Sequence, residues 1–180
     1  RLALVTENLQ RLGLAAESVA ADARDWRPEQ PADAILLDAP CSATGTLRRH
    51  PDIAWLQKAD AVAALAETEV ALLRAALEML KPGGLLVYAV CSLQPGEGPE
   101  RIEALLAEGR VERIPVQPEE LLSPAAAEAA AGGSSACFSG GLELLSDWLT
   151  PAGDLRTLPC HLAESGGLDG FYACRLRLKP

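Results

Sequence analysis

Leu2, Leu4, Val5, Leu9, Leu12 and Leu14 recur at helical spacing with polar residues between them, and Gly13 stands where a helix C-cap belongs. This pattern predicts an amphipathic helix over residues 2–13 with no strand ahead of it. The helical period then gives way to short apolar runs. Ser18-Val19-Ala20-Ala21 reads as a short strand closing on Asp22, and Pro28 with Pro31 marks the loop after it. Ala34-Ile35-Leu36-Leu37 forms a compact run that stops at Asp38. Unbroken apolar runs of this kind fit strands covered on both faces of a parallel sheet.

From Asp60 to Leu80 the period is helical again. Leu65, Leu72, Leu73, Ala76, Leu77 and Leu80 share one face, and Glu67, Glu69, Arg74 and Glu78 lie elsewhere. Asp60 is the expected N-cap, and Lys81-Pro82-Gly83-Gly84 the expected stop. Residues 85–90 follow as a second buried strand. Strand, helix and strand in this order predict a right-handed crossover unit with parallel strands, so both strands end on the same side of one open sheet.

Further along, residues 100–108 predict a short helix with Ile102, Leu105 and Leu106 facing inward. Residues 115–141 are rich in Ala, Pro, Gly and Ser and read as a flexible loop, with one helical turn at 125–131. Residues 142–149 suit a short helix or a lid. Residues 155–158 and 171–178 alternate as strands and predict an antiparallel edge hairpin. There is no internal repeat.

Length and composition narrow the classes. The 180 residues suit a single domain, 1–180, large enough to bury about 70% of its unfolded surface. Neither a membrane span nor a signal peptide is indicated, which favours a cytoplasmic protein. Five cysteines without CxxC spacing argue against a disulfide framework and against a zinc site. With 16 Lys+Arg against 25 Asp+Glu, the net charge of −9 opposes broad attraction to a phosphate backbone. Any nucleic-acid contact must then be local. Arg48-Arg49-His50 is the one basic cluster near a motif, and it reads equally well as a solvated turn before Pro51 or as a phosphate contact. Trp26, Trp55 and Trp148 read as packing residues, with Trp55 close enough to the basic cluster to touch RNA.

The chemistry concentrates at the two strand ends. Cys41 follows the first strand in Asp38-Ala39-Pro40-Cys41-Ser42, and Cys91 follows the second in Val90-Cys91-Ser92. In an open α/β sheet such ends line the ligand crevice, so two thiols can meet there over one substrate. A thiolate that adds to C6 of a pyrimidine makes C5 able to attack an electrophilic methyl group, which is covalent catalysis. A carboxyl group such as Asp38 can steady the ring at N3, and a second thiol can take the C5 proton. Cys137, Cys160 and Cys174 read as inert small hydrophobes.

The run from Asp38 to Thr46, followed by Arg48-Arg49-His50-Pro51-Asp52-Ile53 and by Tyr88-Ala89-Val90-Cys91-Ser92-Leu93, closely resembles the RNA cytosine-5 methyltransferases of the RsmB/NOP2/Sun group, and most the bacterial branch acting on 16S ribosomal RNA. Residues 7–13 resemble the group's helix after its second strand, and residues 169–173 its closing strand. The resemblance implies a Rossmann-like class I methyltransferase sheet that uses S-adenosyl-L-methionine. It also implies roles that spacing leaves open: Cys91 as nucleophile, Cys41 as the thiol that releases product, and Asp38 as the carboxylate on the cytosine. On the same basis Asp22, Asp38 and Pro40 fall on the cofactor side, and Arg48, Arg49 and His50 on the RNA side.

The departures are specific. Val90 replaces the usual Thr before the nucleophile, and the acidic block after it keeps only Glu97 and Glu100. The group's Gly-rich strand-to-helix loop and the acid ending its second strand have no counterpart before Arg1. Lys81-Pro82-Gly83-Gly84 ends a helix rather than opening one and cannot replace that loop. The expectation is a sheet incomplete at its N-terminal side, the C-terminal portion of a catalytic domain. The alternatives are a catalytically incomplete fragment that keeps the RNA-side site and, further off, a thiol hydrolase using His50 or His161.

Overall fold

The computed structural model describes residues 2–121 and 145–180. The first helix, α1 (Leu2–Leu12), forms where its period places it, and none of its residues is buried. The expected strand at 18–21 does not form; these residues are irregular and exposed. A strand is held by its neighbours' backbone groups, and among the described residues no strand lies beside this segment. The first strand is therefore β1 (Ala32–Asp38).

A single turn, α2 (Ile53–Leu56), precedes the long helix α3 (Ala59–Met79), which runs into β2 (Leu80–Val90). β1 and β2 are parallel, as the crossover requires. Lys58, not Asp60, occupies the N-cap, and Asp60 sits in the first turn, where its negative charge complements the helix dipole. The Lys-Pro-Gly-Gly segment lies inside β2 rather than before it. It makes an irregularity in which β1 advances from Ala32 to Ala34 while β2 advances from Leu80 to Leu85. Gly83 takes φ 79° there, a left-handed conformation that glycine adopts without strain.

After β2 come α4 (Pro99–Ala107), a three-residue strand β3 (Val111–Arg113) that the pattern did not announce, β4 (Leu155–Thr157) and β5 (Phe171–Leu178). The sheet order is β1-β2-β5-β3, with β4 also on β5. β4 and β5 pair antiparallel as expected, but of these two strands only β4 lies at an edge. β5 is internal, antiparallel to β2 on one side and to β3 and β4 on the other.

The core lies on one face of the sheet. Leu73, Ala76 and Leu77 of α3 and Ile102 and Leu105 of α4 pack on Leu86, Tyr88 and Val90 of β2 and on Tyr172, Cys174 and Leu176 of β5. Each large apolar side chain buried in this way contributes about 1.5–3 kcal/mol. The alternate residues Leu85, Val87 and Ala89 are only half-buried, and Leu36 of β1 is 71% exposed. The strands are thus not buried on both faces, because the described helices α3 and α4 cover one of them. Glu69, assigned by its polarity to the outer face of α3, is wholly buried. It lies one turn before Leu73, on the core face.

Two further expectations change. The start of the loop beyond residue 114 is held against β5, where Arg175 donates to the Pro115 carbonyl and pairs with Glu120 at 2.9 Å. The helical turn expected at 125–131 and most of the short helix or lid expected at 142–149 lie outside the described residues. Trp26 and Trp55 are exposed rather than packed, Trp55 at 88%, whereas Trp148 stacks on His161.

Candidate active site

β1 and β2 end side by side: Asp38 is level with Ala89, and the Ala39 amide donates to the Ala89 carbonyl at 3.0 Å. The next residues carry the thiols. Cys41 and Cys91 sit half-buried as free cysteines with their sulfurs 3.6 Å apart. Burial, and then the charge of Cys91 beside it, pushes the Cys41 thiol up to about 12. Cys41 is therefore protonated at neutral pH. The carboxylate of Asp38 is exposed at the open end of the sheet, not buried as a strand-end acid in a covered sheet would be, and Pro40 is exposed beside it.

Below the thiols lies a polar layer. Ser42 and Ser92, each directly after a cysteine, are buried, as is Glu97. The Glu97 carboxylate accepts the Ser42 amide at 2.9 Å, the Ser42 hydroxyl at 2.6 Å, and the Ser92 hydroxyl. Its backbone carbonyl accepts the Tyr88 hydroxyl at 2.7 Å. Thr44 Oγ1 lies 3.2 Å from Ser92 Oγ and accepts the Leu93 amide at 2.9 Å. Ala43, between Ser42 and Thr44, takes φ 56°, a left-handed turn that costs a non-glycine residue about 1–2 kcal/mol. That turn lets both hydroxyls reach the same neighbour. From the other side, the Arg156 guanidinium donates to the Ser92 and Leu93 carbonyls at 2.9 and 3.0 Å.

Deeper still, Glu69 faces Arg101 across 3.4 Å, within ion-pair reach but without the alignment of a hydrogen bond. Burial, and then the charge of Glu97, raises Glu69 to about 7.

The basic cluster is spoken for. Arg48 and Arg49 both pair with Asp169, Arg49 through both carboxylate oxygens. The Asp169 carboxylate lifts Arg49 above its usual range, and the Cys91 charge adds to the effect, so Arg49 stands within electrostatic reach of that thiol. Both arginine side chains remain partly exposed beside that carboxylate. His50 is an exposed residue in the turn that follows, its amide donating to the Thr46 carbonyl. His161 accepts the Leu158 amide through Nδ1.

Asp22 lies on the irregular segment, exposed, and accepts the Arg24 amide and guanidinium, which holds its carboxyl at about 2. Beside it opens a shallow cleft of about 220 Å³ lined by Glu17, Val19, Ala21, Ala23 and Trp26. Its mostly apolar wall suits a flat heteroaromatic ring, and it offers no cationic side chain for an amino-acid carboxylate. Among the described residues no Gly-rich turn joins a strand to a helix near this cleft. The side chains present fit one end of S-adenosyl-L-methionine and leave the other end without ligands. Buried Cys174, pushed to about 12 chiefly by burial, and exposed Cys160 lie outside the pair; Cys137 lies outside the described residues.

The polar layer leaves little trace in the sequence. Its signal is the Cys-Ser dipeptide, which occurs at both strand ends. Glu97 was visible only as a surviving acid, and nothing near Arg156 in the sequence points to the Ser92 and Leu93 carbonyls.

Solved structures place this geometry in a class. NSun6 from Pyrococcus horikoshii, in a structure with SFG, superposes at TM-score 0.69 with 26% identity over 100% of this chain and 39% of its own. A methyltransferase homologue protein from the same organism matches at TM-score 0.63 with 25% identity, over 98% of this chain and 50% of its own. The fold is that of the Rossmann-like α/β methyltransferases. The family model for 16S rRNA methyltransferase RsmB/F matches residues 1–177, and the chain belongs to that family. Among curated relatives, ribosomal RNA small subunit methyltransferase B of Pseudomonas syringae pv. tomato is 43% identical over 98% of this chain, and that of Vibrio cholerae 49% identical over 69%. The chain spans about a third of their length, 34% and 30% respectively.

Proposed function

We propose that this domain performs the methyl-accepting chemistry of a cytoplasmic enzyme that methylates C5 of a cytosine in 16S ribosomal RNA, with S-adenosyl-L-methionine as donor. The observation that carries this reading is the pair of sulfurs 3.6 Å apart at adjacent parallel strand ends, in a chain of the RsmB/F family. In this reading the Cys91 thiolate adds to C6 of an unstacked cytosine, forming an S–C6 bond and raising electron density at C5. Asp38, exposed at the end of β1, shares a proton with N3 that moves to the ring as the S–C6 bond forms and returns as that bond breaks, and so stabilises the adduct. When bound, S-adenosyl-L-methionine supplies the electrophilic methyl group. Asp22, Pro40 and the cleft beside Asp22 are the residues here that would face it.

Release is then the task of Cys41. While Cys91 is charged, Cys41 keeps its proton; once the Cys91 sulfur is bonded to C6, that charge is gone and Cys41 becomes more acidic. Cys41 then gives its own proton to solvent, its thiolate takes the C5 proton, the C5–C6 double bond reforms, and the S–C6 bond breaks with its electron pair returning to the Cys91 sulfur. RNA contact by Arg48, Arg49 and His50 would require phosphate to compete with Asp169 for the two guanidinium groups.

The test is trapping of the covalent adduct in the intact enzyme incubated with RNA and methyl donor. Cys41→Ala is expected to accumulate a protein–RNA adduct on denaturing gels, and Cys91→Ala to form none. An adduct in the absence of Cys91 would overturn the assignment.

A second reading has its own support. The partial fit of the cofactor by the described residues favours a domain that holds the acceptor half of the centre and acts only when joined to residues for the donor half.

A further inference from the structure

We propose that Glu97 is the positioning residue of the thiol pair: its buried carboxylate ties together the two loops that carry Cys41 and Cys91 and thereby fixes the distance between them. The two loops come from strand ends fifty residues apart, and the sheet alone aligns them only as far as the bond between Ala39 and Ala89. Beyond that point each chain must turn, and a half-buried thiol at the start of a turn is free to swing unless the turn is held.

Glu97 holds both turns one residue beyond each sulfur. Three donors converge on its carboxylate, two from Ser42 and one from Ser92, and the two serine hydroxyls lie 3.2 Å apart. The clamp has a fixed base, because Tyr88, in the fully buried row of β2, donates to the Glu97 carbonyl, and α4 begins two residues later at Pro99. An ionised carboxylate is an acceptor only, which suits a site where every facing group is a donor. Removing it would leave the buried Ser42 amide without its acceptor and would loosen both loops at once, with Thr44 and the bond from the Gly45 amide to the Cys91 carbonyl as ties that remain between them. Glu97 does not touch the sulfurs, and its action is exerted through Ser42 and Ser92.

This inference rests on reading the two thiols as the reacting pair, but its test needs neither RNA nor methyl donor. In glutathione redox buffers the two thiols pass two electrons to oxidised glutathione and form one disulfide, and the equilibrium reports their effective concentration toward each other. The full chain is used, with the Cys41–Cys91 peptide pair quantified by mass spectrometry after acid trapping. Glu97→Ala is expected to lower that effective concentration by about tenfold or more. Glu97→Gln should stay within about threefold of the parent, because one amide oxygen still accepts the Ser42 N–H and the hydroxyls can rotate to accept from the amide nitrogen. Val111→Ala, a core truncation at the far edge of the sheet, controls for general loss of stability.

The proposal is overturned if Glu97→Ala stays within about twofold of the parent, if Val111→Ala lowers the value as much, or if Gln fares no better than Ala. Each of these results would leave the adduct test of the thiol roles intact. A missing adduct, in turn, would leave the clamp standing as a fact about the fold.

Discussion

Gly45 and Gly170 meet backbone to backbone, closely enough that a Cβ on Gly45 would lie 1.8 Å from the Gly170 carbonyl oxygen and 2.9 Å from that of Cys91. The Gly170 amide donates to the Gly45 carbonyl at 2.8 Å, and the Gly45 amide to the Cys91 carbonyl at 3.0 Å. The loop after Cys41 is thus pressed between the loop after Cys91 and the entry to β5, and only a residue without a side chain fits.

Gly45→Ala should therefore cost about 3 kcal/mol or more, since the atoms in the way are backbone and cannot swing aside. Gly109→Ala is the comparison. Gly109 has φ 78° and open space for 4 Å around the point where a Cβ would project, so the change should cost only about 1 kcal/mol of conformational strain. Urea denaturation of the two variants checks the difference, and similar losses would contradict the packing argument.

Glu69 gives the fold a pH dependence of unusual sign. Its folded-state value of about 7 lies above the ordinary 4.5, so folding favours the protonated form. The contribution is fully present below pH 4.5 and is lost as pH rises through 7, amounting to at most roughly 3 kcal/mol. Stability measured by urea titration should decline across that window, and Glu69→Gln should flatten the decline. An unchanged slope in the variant would place the effect on another group.

Cys41 should be slow to alkylate at neutral pH because burial and the Cys91 charge hold its proton. In Cys91→Ala the charge is removed while the burial remains, so the alkylation profile of Cys41 should move to lower pH without reaching that of a free thiol. Iodoacetamide labelling followed by peptide mass spectrometry measures this. A profile that moves the other way, or not at all, would mean that the two thiols do not interact.

Residues 1–180 alone should bind S-adenosyl-L-methionine weakly or undetectably, because the described side chains offer an apolar cleft near Asp22 but no Gly-rich turn to hold the rest of the molecule. Calorimetric titration decides the point, and micromolar affinity would show that this chain carries ligands for both ends of the cofactor.

Local regularities made part of this readable from the residues. The periods of α1, α3 and α4 and the apolar run of β2 are short-range patterns, so the crossover of β1, α3 and β2 and the common edge for Cys41 and Cys91 followed from them. Covalent roles for the two thiols came from the motif resemblance, not from spacing. Burial was the weakest point: Leu36, Trp26 and Trp55 are apolar yet exposed, and Glu69 is charged yet enclosed.

The sequence by itself determined which strands carry the thiols and that their ends lie on one side of a sheet, because strand, helix and strand leave the chain one favoured hand. Only the tertiary structure decided what surrounds those ends. It brings Asp169 to Arg48 and Arg49, Gly170 to Gly45, Arg156 to the carbonyl after Cys91, and Glu97 beneath Ser42 and Ser92. Most of these partners are tens of residues or more apart in the chain and meet only when β5 enters beside β2. The periodicity of a strand records which way its side chains point, but carries no information about which distant loop will close over its end.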